Sequence, residues 1–352
     1  MNDRNKEVKK YFLKYREYLE EESDLYANKP PSFLFPILMK YFGYLLEDNP
    51  ETTVTNFGVK IRKPMHHIIQ LFGPLFLSSK HMIENRKQLE DTLSNEKDSP
   101  IVLPKDPVIW APSHMYQEDP IATLLSVKRS SYVLIGNPPR TFNDLAGIPA
   151  LINGAVLVNR RNKKSRQSSI AKCERVLELG SDLVLFPEGI GNKTPNCLSL
   201  HLFPGIYKIA NEKKVKIVPI VHYKDESKNI IHTVIDDPID PLSMTKEELL
   251  TTLRDTYAYW KYLMMEKYGK TTRQELVGKE LDINSYWEKE IQKNHSDRYD
   301  LNAEKSTTYY TQREREYFKA IDDIASLEIT PENYLIVEDA KKLVKSQFQR
   351  RL

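Results

Sequence analysis

The sequence predicts an α/β fold: a mostly parallel mixed sheet flanked by helices, with helical extensions at both ends. Three observations lead there. Between about residues 101 and 240, short β-rich runs recur: "PVIWA", "YVLIG", "GAVLVN", "DLVLFP", "KIVPIV" and "NIIHTVID". They are near-continuously apolar, as strands buried on both faces must be. Helical patterns lie between them, as in "SSIAKCERVLELG", where Ile170, Cys173, Val176 and Leu177 share one face and Gly180 supplies a stop. Outside this zone the texture turns helical and charged, as in "TKEELLTTLRDTYAYWKYLMMEKYG". The expected organisation is a helical region over 1–100, an α/β domain over 101–240 and a helical region over 241–352 packed on or extending from it.

The N-terminal region, taken first, opens on "MNDRNKEVKKYFLKYREYLEEES", which mixes charge with apolar residues at helical spacing and lacks the apolar core of an export signal. "SFLFPILMKYFGYLLED" (32–48) and "HHIIQLFGPLFL" (66–77) are apolar but interrupted. Each suits a core helix or a helix lying in a membrane interface, and the residues alone leave both open. Around "NPETTVTNFGVKIRKP" the pattern reads as irregular. No run reaches the ~18 to 20 apolar residues of a spanning helix. The 352-residue chain carries a net charge of only +3, too little to indicate nucleic acid. Its two cysteines, Cys173 and Cys197, form neither a zinc-type pair nor a disulfide framework, so a cytoplasmic setting is expected.

In the α/β zone, chemistry gathers at strand ends. "WAPSHMYQEDP" (110–120) places His114 five residues before Asp119. On one continuous helix that spacing turns the side chains ~140° apart. The flanks argue instead for a strand, "VIWA", and a helix opened by Asp119 as N-cap with Pro120 at its first position. The histidine then lies in the intervening loop, where the carboxylate can hold one imidazole nitrogen and leave the other to accept a proton. "NGAVLVNRRNKKSR" ends a strand in a basic run, "LVLFPEGIGNKTP" ends another in a Pro-Glu-Gly turn, and "KIVPIV" carries Pro219, awkward inside a ladder. Parallel strands would bring His114, Arg160 and Glu188 to one edge of the sheet, where open α/β sheets bind ligands.

Taken in order over residues 105–225, His114-x4-Asp119, "GAVLVNR" ending at Arg160, "FPEG" at 186–189 and the Val-Pro-Ile strand at 218–220 resemble the glycerophospholipid acyltransferase family, which includes 1-acylglycerol-3-phosphate acyltransferases. The resemblance implies that His114 is a general base removing the proton of an acceptor hydroxyl, with Asp119 its orienting partner. It also implies that Arg160 holds the acceptor phosphate, that Glu188 and Gly189 form an acceptor-binding turn shaped by Pro187, and that Pro219 belongs to a structural or acyl-facing block. The family often has asparagine at the position of Ser113. It usually follows its FPEG with Thr or Ser and then Arg, where this chain has Ile190 and Gly191. Lys193 or Arg161 is the expected replacement for that basic contact.

Implied partners are an acyl thioester donor, either acyl-CoA or acyl carrier protein, and a lysophospholipid or glycerol-3-phosphate acceptor. The expected setting is peripheral, on the cytoplasmic face of a membrane, with no cofactor, no metal and no nucleic acid. Two alternatives stay open: a non-catalytic lipid- or carrier-binding protein of the same fold, and an acyltransferase for another polar lipid. Several other motifs lack what their chemistry needs. "GIGNKT" (189–194) misses the Gly-Lys-Ser/Thr ending of a phosphate loop, no Gly-x-Ser-x-Gly occurs, and "DINSYWEKE" lacks calcium-loop spacing. His66 and His67 have no acid at ligand spacing and read as packing residues.

Overall fold

The computed structural model describes residues 9–15, 34–90, 98, 100–115, 118–136, 141–142, 147–160, 162–189, 191–192, 198–225 and 227–269. Arg161, Lys193, Cys197 and the C-terminal stretch from 270, with its "DINSYWEKE", lie outside the described residues. Helices of seven or more residues are numbered here. In chain order come α1 (Phe35–Phe42), α2 (Asn56–Phe72), β1 (Lys80–Ile83), β2 (Ile109–Pro112), α3 (Asp119–Ser126), β3 (Ser131–Ile135) and α4 (Gly147–Asn153). There follow β4 (Ala155–Leu157), α5 (Lys163–Glu178), β5 (Asp182–Val184), α6 (Gly205–Lys213), β6 (Ile217–Asp225), β7 (Ile230–Ile235) and α7 (Lys246–Tyr268).

The strands form one seven-stranded sheet in the order β1-β7-β6-β2-β5-β3-β4. All neighbours run parallel except the β6–β7 hairpin. The fold is therefore α/β with a mostly parallel mixed sheet. Alternation along β2 shows why its apolar run is continuous. Ile109 and Ala111 enter a core with Cys173 and Val176 of α5 and Leu253 and Tyr257 of α7, whereas Trp110 joins Ile69 of α2 and Leu124 of α3 on the other face. A third cluster, around Phe35, Met39, Leu151 and Leu157, seats α1 against β4.

Several local readings change. Lys80–Ile83, inside the stretch read as helical, is an edge strand paired with β7. Four largely exposed residues carry too little alternation to declare a strand, and the partner lies 150 positions away. The segment read as irregular is mostly helix α2, capped by Thr55 accepting from the Gly58 N–H, with Pro64 inside it. Pro219 is tolerated because its nitrogen faces the β7 side, between the isolated Ile217–Ile239 bridge and the first β6–β7 pair, Ile220–Ile235.

Helix α2 buries Val59 and Ile69 together with polar side chains and keeps a second apolar stripe exposed. Arg62, His66 and Gln70, spaced four apart, face the protein: Arg62 donates to the Tyr44 hydroxyl at 2.7 Å, His66 reaches Asn153 Oδ1 at 2.8 Å, and Gln70 donates to Val127 O at 2.9 Å. The opposite stripe, Phe57, Ile61, Ile68 and Leu71, continues to Leu75 and is exposed; Leu71 is 72% and Leu75 79% exposed. Helix α1 likewise buries Phe35, Leu38 and Met39 and exposes Ile37 and Tyr41. Among the described residues no helix is long and apolar enough to cross a membrane.

At the N-terminal end of the strands, the buried Asp182 carboxylate accepts from the Val108 N–H (3.1 Å), Trp110 Nε1 (2.9 Å) and the Arg129 guanidinium (2.9 Å). Removing it orphans two buried donors, the Val108 amide and the Trp110 indole, and takes from Arg129 its ion pair. Asp182→Ala is expected to cost roughly 3–5 kcal/mol of stability, read from urea unfolding by far-ultraviolet circular dichroism.

Candidate active site

The opposite, C-terminal edge of the parallel strands holds the motif residues. β2 ends at Pro112, and the chain is then pinned atom by atom. The Ser113 N–H donates to Ile220 O (2.8 Å), the His114 N–H to Glu188 Oε1 (2.9 Å), and the Asn192 N–H to His114 O (2.7 Å). The His114 backbone is thereby held on both sides before its side chain makes any contact. Asp119, fully buried, accepts through Oδ2 from His114 Nδ1 (2.9 Å) and from the Met115 N–H (2.6 Å).

Asp119 is the first residue of α3, and Glu118 takes the cap position expected for Asp119. The difference has a chemical consequence. A carboxylate at the cap would be spent on the helix's own amides; here it is turned back to the loop, with the helix N-terminus still stabilising its charge. The His114 ring packs against Phe186 at 4.8 Å between centroids. With Nδ1–H donated to the carboxylate, Nε2 carries the lone pair. That nitrogen takes up no hydrogen bond among the described residues, and the side chain is 25% exposed. A fixed imidazole with one committed and one open nitrogen is a competent general base.

Glu188 lies inside the loop framework, buried, its second oxygen accepting from the Leu200 N–H at 2.8 Å. Both oxygens thus hold backbone, one of them that of His114. Pro187 O accepts from the Phe203 N–H (2.8 Å), and Gly189 has φ of +70° with Phe203 so close that a Cβ would lie 2.8 Å from its ring. Both conformation and space require glycine there. Arg160 donates to Gly189 O and lies across Gly136, so it reaches the same edge. The structure brings together His114, Asp119, Arg160, Pro187, Glu188 and Gly189.

A family model described as Acyltransferase matches residues 79–223, the span that carries this constellation. Over that span, less than half of its length, the chain is similar to acyltransferases. A 1-acyl-sn-glycerol-3-phosphate acyltransferase of Chlamydomonas reinhardtii is 25% identical over 117 residues, which cover 33% of this chain and 34% of that protein. The chain thus aligns with about a third of that curated relative's length. The crystal structure of the 1-acyl-sn-glycerophosphate (LPA) acyltransferase PlsC from Thermotoga maritima superposes with a TM-score of 0.42 at 16% identity, covering 56% of this chain and 78% of that one.

The acyltransferase span begins just ahead of β1, and it contains residues that motif reading passed over. Glu118 accepts from the Ser78 N–H (2.7 Å), the Ser79 hydroxyl (3.0 Å) and Lys224 (2.9 Å). Burial pushes its carboxyl up, but Lys224 and Ser78 outweigh that and hold it below the usual range. Asn192 braces His114 through its main-chain N–H. From α7, the Tyr257 hydroxyl donates to Ala111 O at 2.7 Å, tying the C-terminal helix to the strand that leads into the site. These partners are tens of residues apart and leave no periodic trace. The only local hint was Glu118 preceding Asp119.

Behind the dyad sit two histidines. Burial pushes both His81 and the fully enclosed His222 down to about 4 from 6.5, in His222 against the pull of Asp119. The unfolded chain therefore binds protons that the folded one refuses between those values. The stability these rings support is complete above pH 6.5 and lost as pH falls toward 4. Urea unfolding free energies should drop by on the order of 2 kcal/mol per pH unit across that window, and the slope should lessen in His222→Gln.

Proposed function

We propose that this protein transfers an acyl group from an acyl thioester, acyl-CoA or acyl carrier protein, to the hydroxyl of a glycerophosphate-type acceptor such as 1-acylglycerol-3-phosphate. The observation that carries the reading is the His114 Nδ1 to Asp119 Oδ2 bond of 2.9 Å, which leaves Nε2 open at the strand ends. In the proposed reaction Nε2 takes the acceptor's hydroxyl proton as that oxygen forms a bond to the thioester carbonyl carbon. The C–S bond then breaks, and the imidazolium returns the proton to the departing thiolate. No acyl-enzyme forms, and no cofactor takes part. The buried Asp119 charge stabilises the transient imidazolium and holds the ring, while the Glu188 and Asn192 contacts fix the His114 main chain.

Arg160 is the proposed phosphate contact, since a guanidinium suits two phosphate oxygens at once. Gly189 and Pro187 would shape the acceptor turn, while Glu188 serves it by holding backbone. Arg161 and Lys193 are proposed to supply the basic contact that Ile190 and Gly191 do not.

We further propose that α2 docks on a lipid surface at the cytoplasmic face of a membrane. Its buried polar side and exposed apolar stripe support this, because a water-facing helix is patterned the other way. The turn after α2 leads into Ser78 and Ser79, which hold Glu118 beside Asp119, so the lipid-facing element is joined to the site.

Two outcomes are expected. His114→Ala should lower turnover of acyl-CoA with lysophosphatidate by about 10² to 10⁴-fold with the circular dichroism spectrum unchanged; equal rates would remove the base assignment. Leu71→Glu with Leu75→Glu should abolish co-flotation with anionic phospholipid vesicles while leaving the melting temperature unaltered.

A further inference from the structure

Helix α3 carries a stripe of buried polar residues, Asp119, Thr123 and Ser126, at spacings of four and three, which place them on one face. A threonine hydroxyl in a helix ordinarily bonds the carbonyl one turn back. Here Thr123 Oγ1 instead meets His222 Nε2 on β6 at 2.8 Å. His222 Nδ1 meets Thr233 Oγ1 of β7 at 2.9 Å, which also meets His81 Nε2 of β1 at 3.0 Å, and Ser126 Oγ closes on His81 at 3.1 Å. The His222 main-chain N–H donates to Ser113 Oγ at 3.2 Å, extending the β2–β6 contact past the end of β2 with a side-chain acceptor.

His222 is therefore bonded one residue before His114 on one side and one helical turn after Asp119 on the other. We infer that His222 is a positioning residue for the His114–Asp119 pair, clamping the loop that bears the imidazole and the helix that bears the carboxylate onto the same strand. The inference rests on the reading of His114 as the general base. Asp119, Thr123, Ser113, His114, Thr233, His81 and Lys261 of α7 are the polar groups around the ring. A well-packed apolar group in its place would hold the layers together at least as well. What such a group would lose is direction, since hydrogen bonds of fixed length set the height of α3 against the sheet and with it the His114 to Asp119 distance. A displacement there falls on the chemical step rather than on binding.

The test uses the full chain and Thr123→Val, which deletes the hydroxyl at nearly constant volume, with Thr123→Ser as the conservative restoration. Turnover of acyl-CoA with lysophosphatidate is measured beside the titration of the His114 imidazole by long-range ¹H–¹⁵N spectra without substrate. The expected result is a kcat lower by at least about tenfold with KM unchanged, a displaced His114 titration, and recovery of both in Thr123→Ser. Thr233→Val, which cuts the clamp from its far side, should act in the same direction and serves if Thr123→Val does not fold. Folded variants with wild-type kcat and an unmoved His114 titration would overturn the inference. A wild type that turns over nothing, with the titration still displaced by Thr123→Val, would uphold the clamp and remove the acyl-transfer reading instead.

Discussion

One carboxylate oxygen, Asp119 Oδ2, accepts from both the His114 ring and the Met115 main chain, and the rest of the site is arranged so that it must. A fully buried carboxylate without donors is too costly to keep. The segment between β2 and α3 can supply them only if the chain leaves β2 at the angle that Ser113 and Glu188 impose. The strand end, the turn at Glu188 and the start of α3 are then one mechanical unit, not three motifs. Glu188 illustrates the point: chemically it is an acid at the site, but its oxygens are occupied by the His114 and Leu200 amides.

That unit faces a second constraint in α2. A helix that turns Arg62, His66 and Gln70 inward beside Val59 and Ile69 has placed its hydrogen-bonding groups where they can be satisfied by Tyr44, Asn153 and Val127, and it leaves a second apolar stripe, Phe57, Ile61, Ile68 and Leu71, to the exterior. In water such an arrangement wastes apolar area, and a lipid surface reverses the balance. Because Ser78 and Ser79 hydrogen-bond Glu118, the chain leaving α2 is tied to the residue next to Asp119.

How much of this was legible beforehand follows from what kind of force made each feature. The parallel strands were readable because burial on both faces demands continuous apolar runs, and "DLVLFP" or "GAVLVN" can hardly be anything else. The meeting of His114, Asp119 and Arg160 at one edge was readable because parallel strands bring their C-terminal ends together. Edge strand β1 was not, because exposed strands need no apolar run, and its pairing is set by residues 150 positions later. The start of α3 was misread by one residue because the cap preference of aspartate is a local rule, and the nearby imidazole offered a better partner. The inward turn of Glu188 and the His222 contacts were invisible for a simpler reason: the bonds that define them join residues 11 to 109 positions apart.

The central claim is that a buried charge holds the imidazole in one tautomer and orientation. Asp119→Asn tests it most directly, because the amide keeps the size and the ability to accept one bond but removes the charge. With folding verified by circular dichroism, kcat for acyl transfer should fall by at least about 10²-fold while KM changes little. A variant that turns over within twofold of wild type would contradict the account.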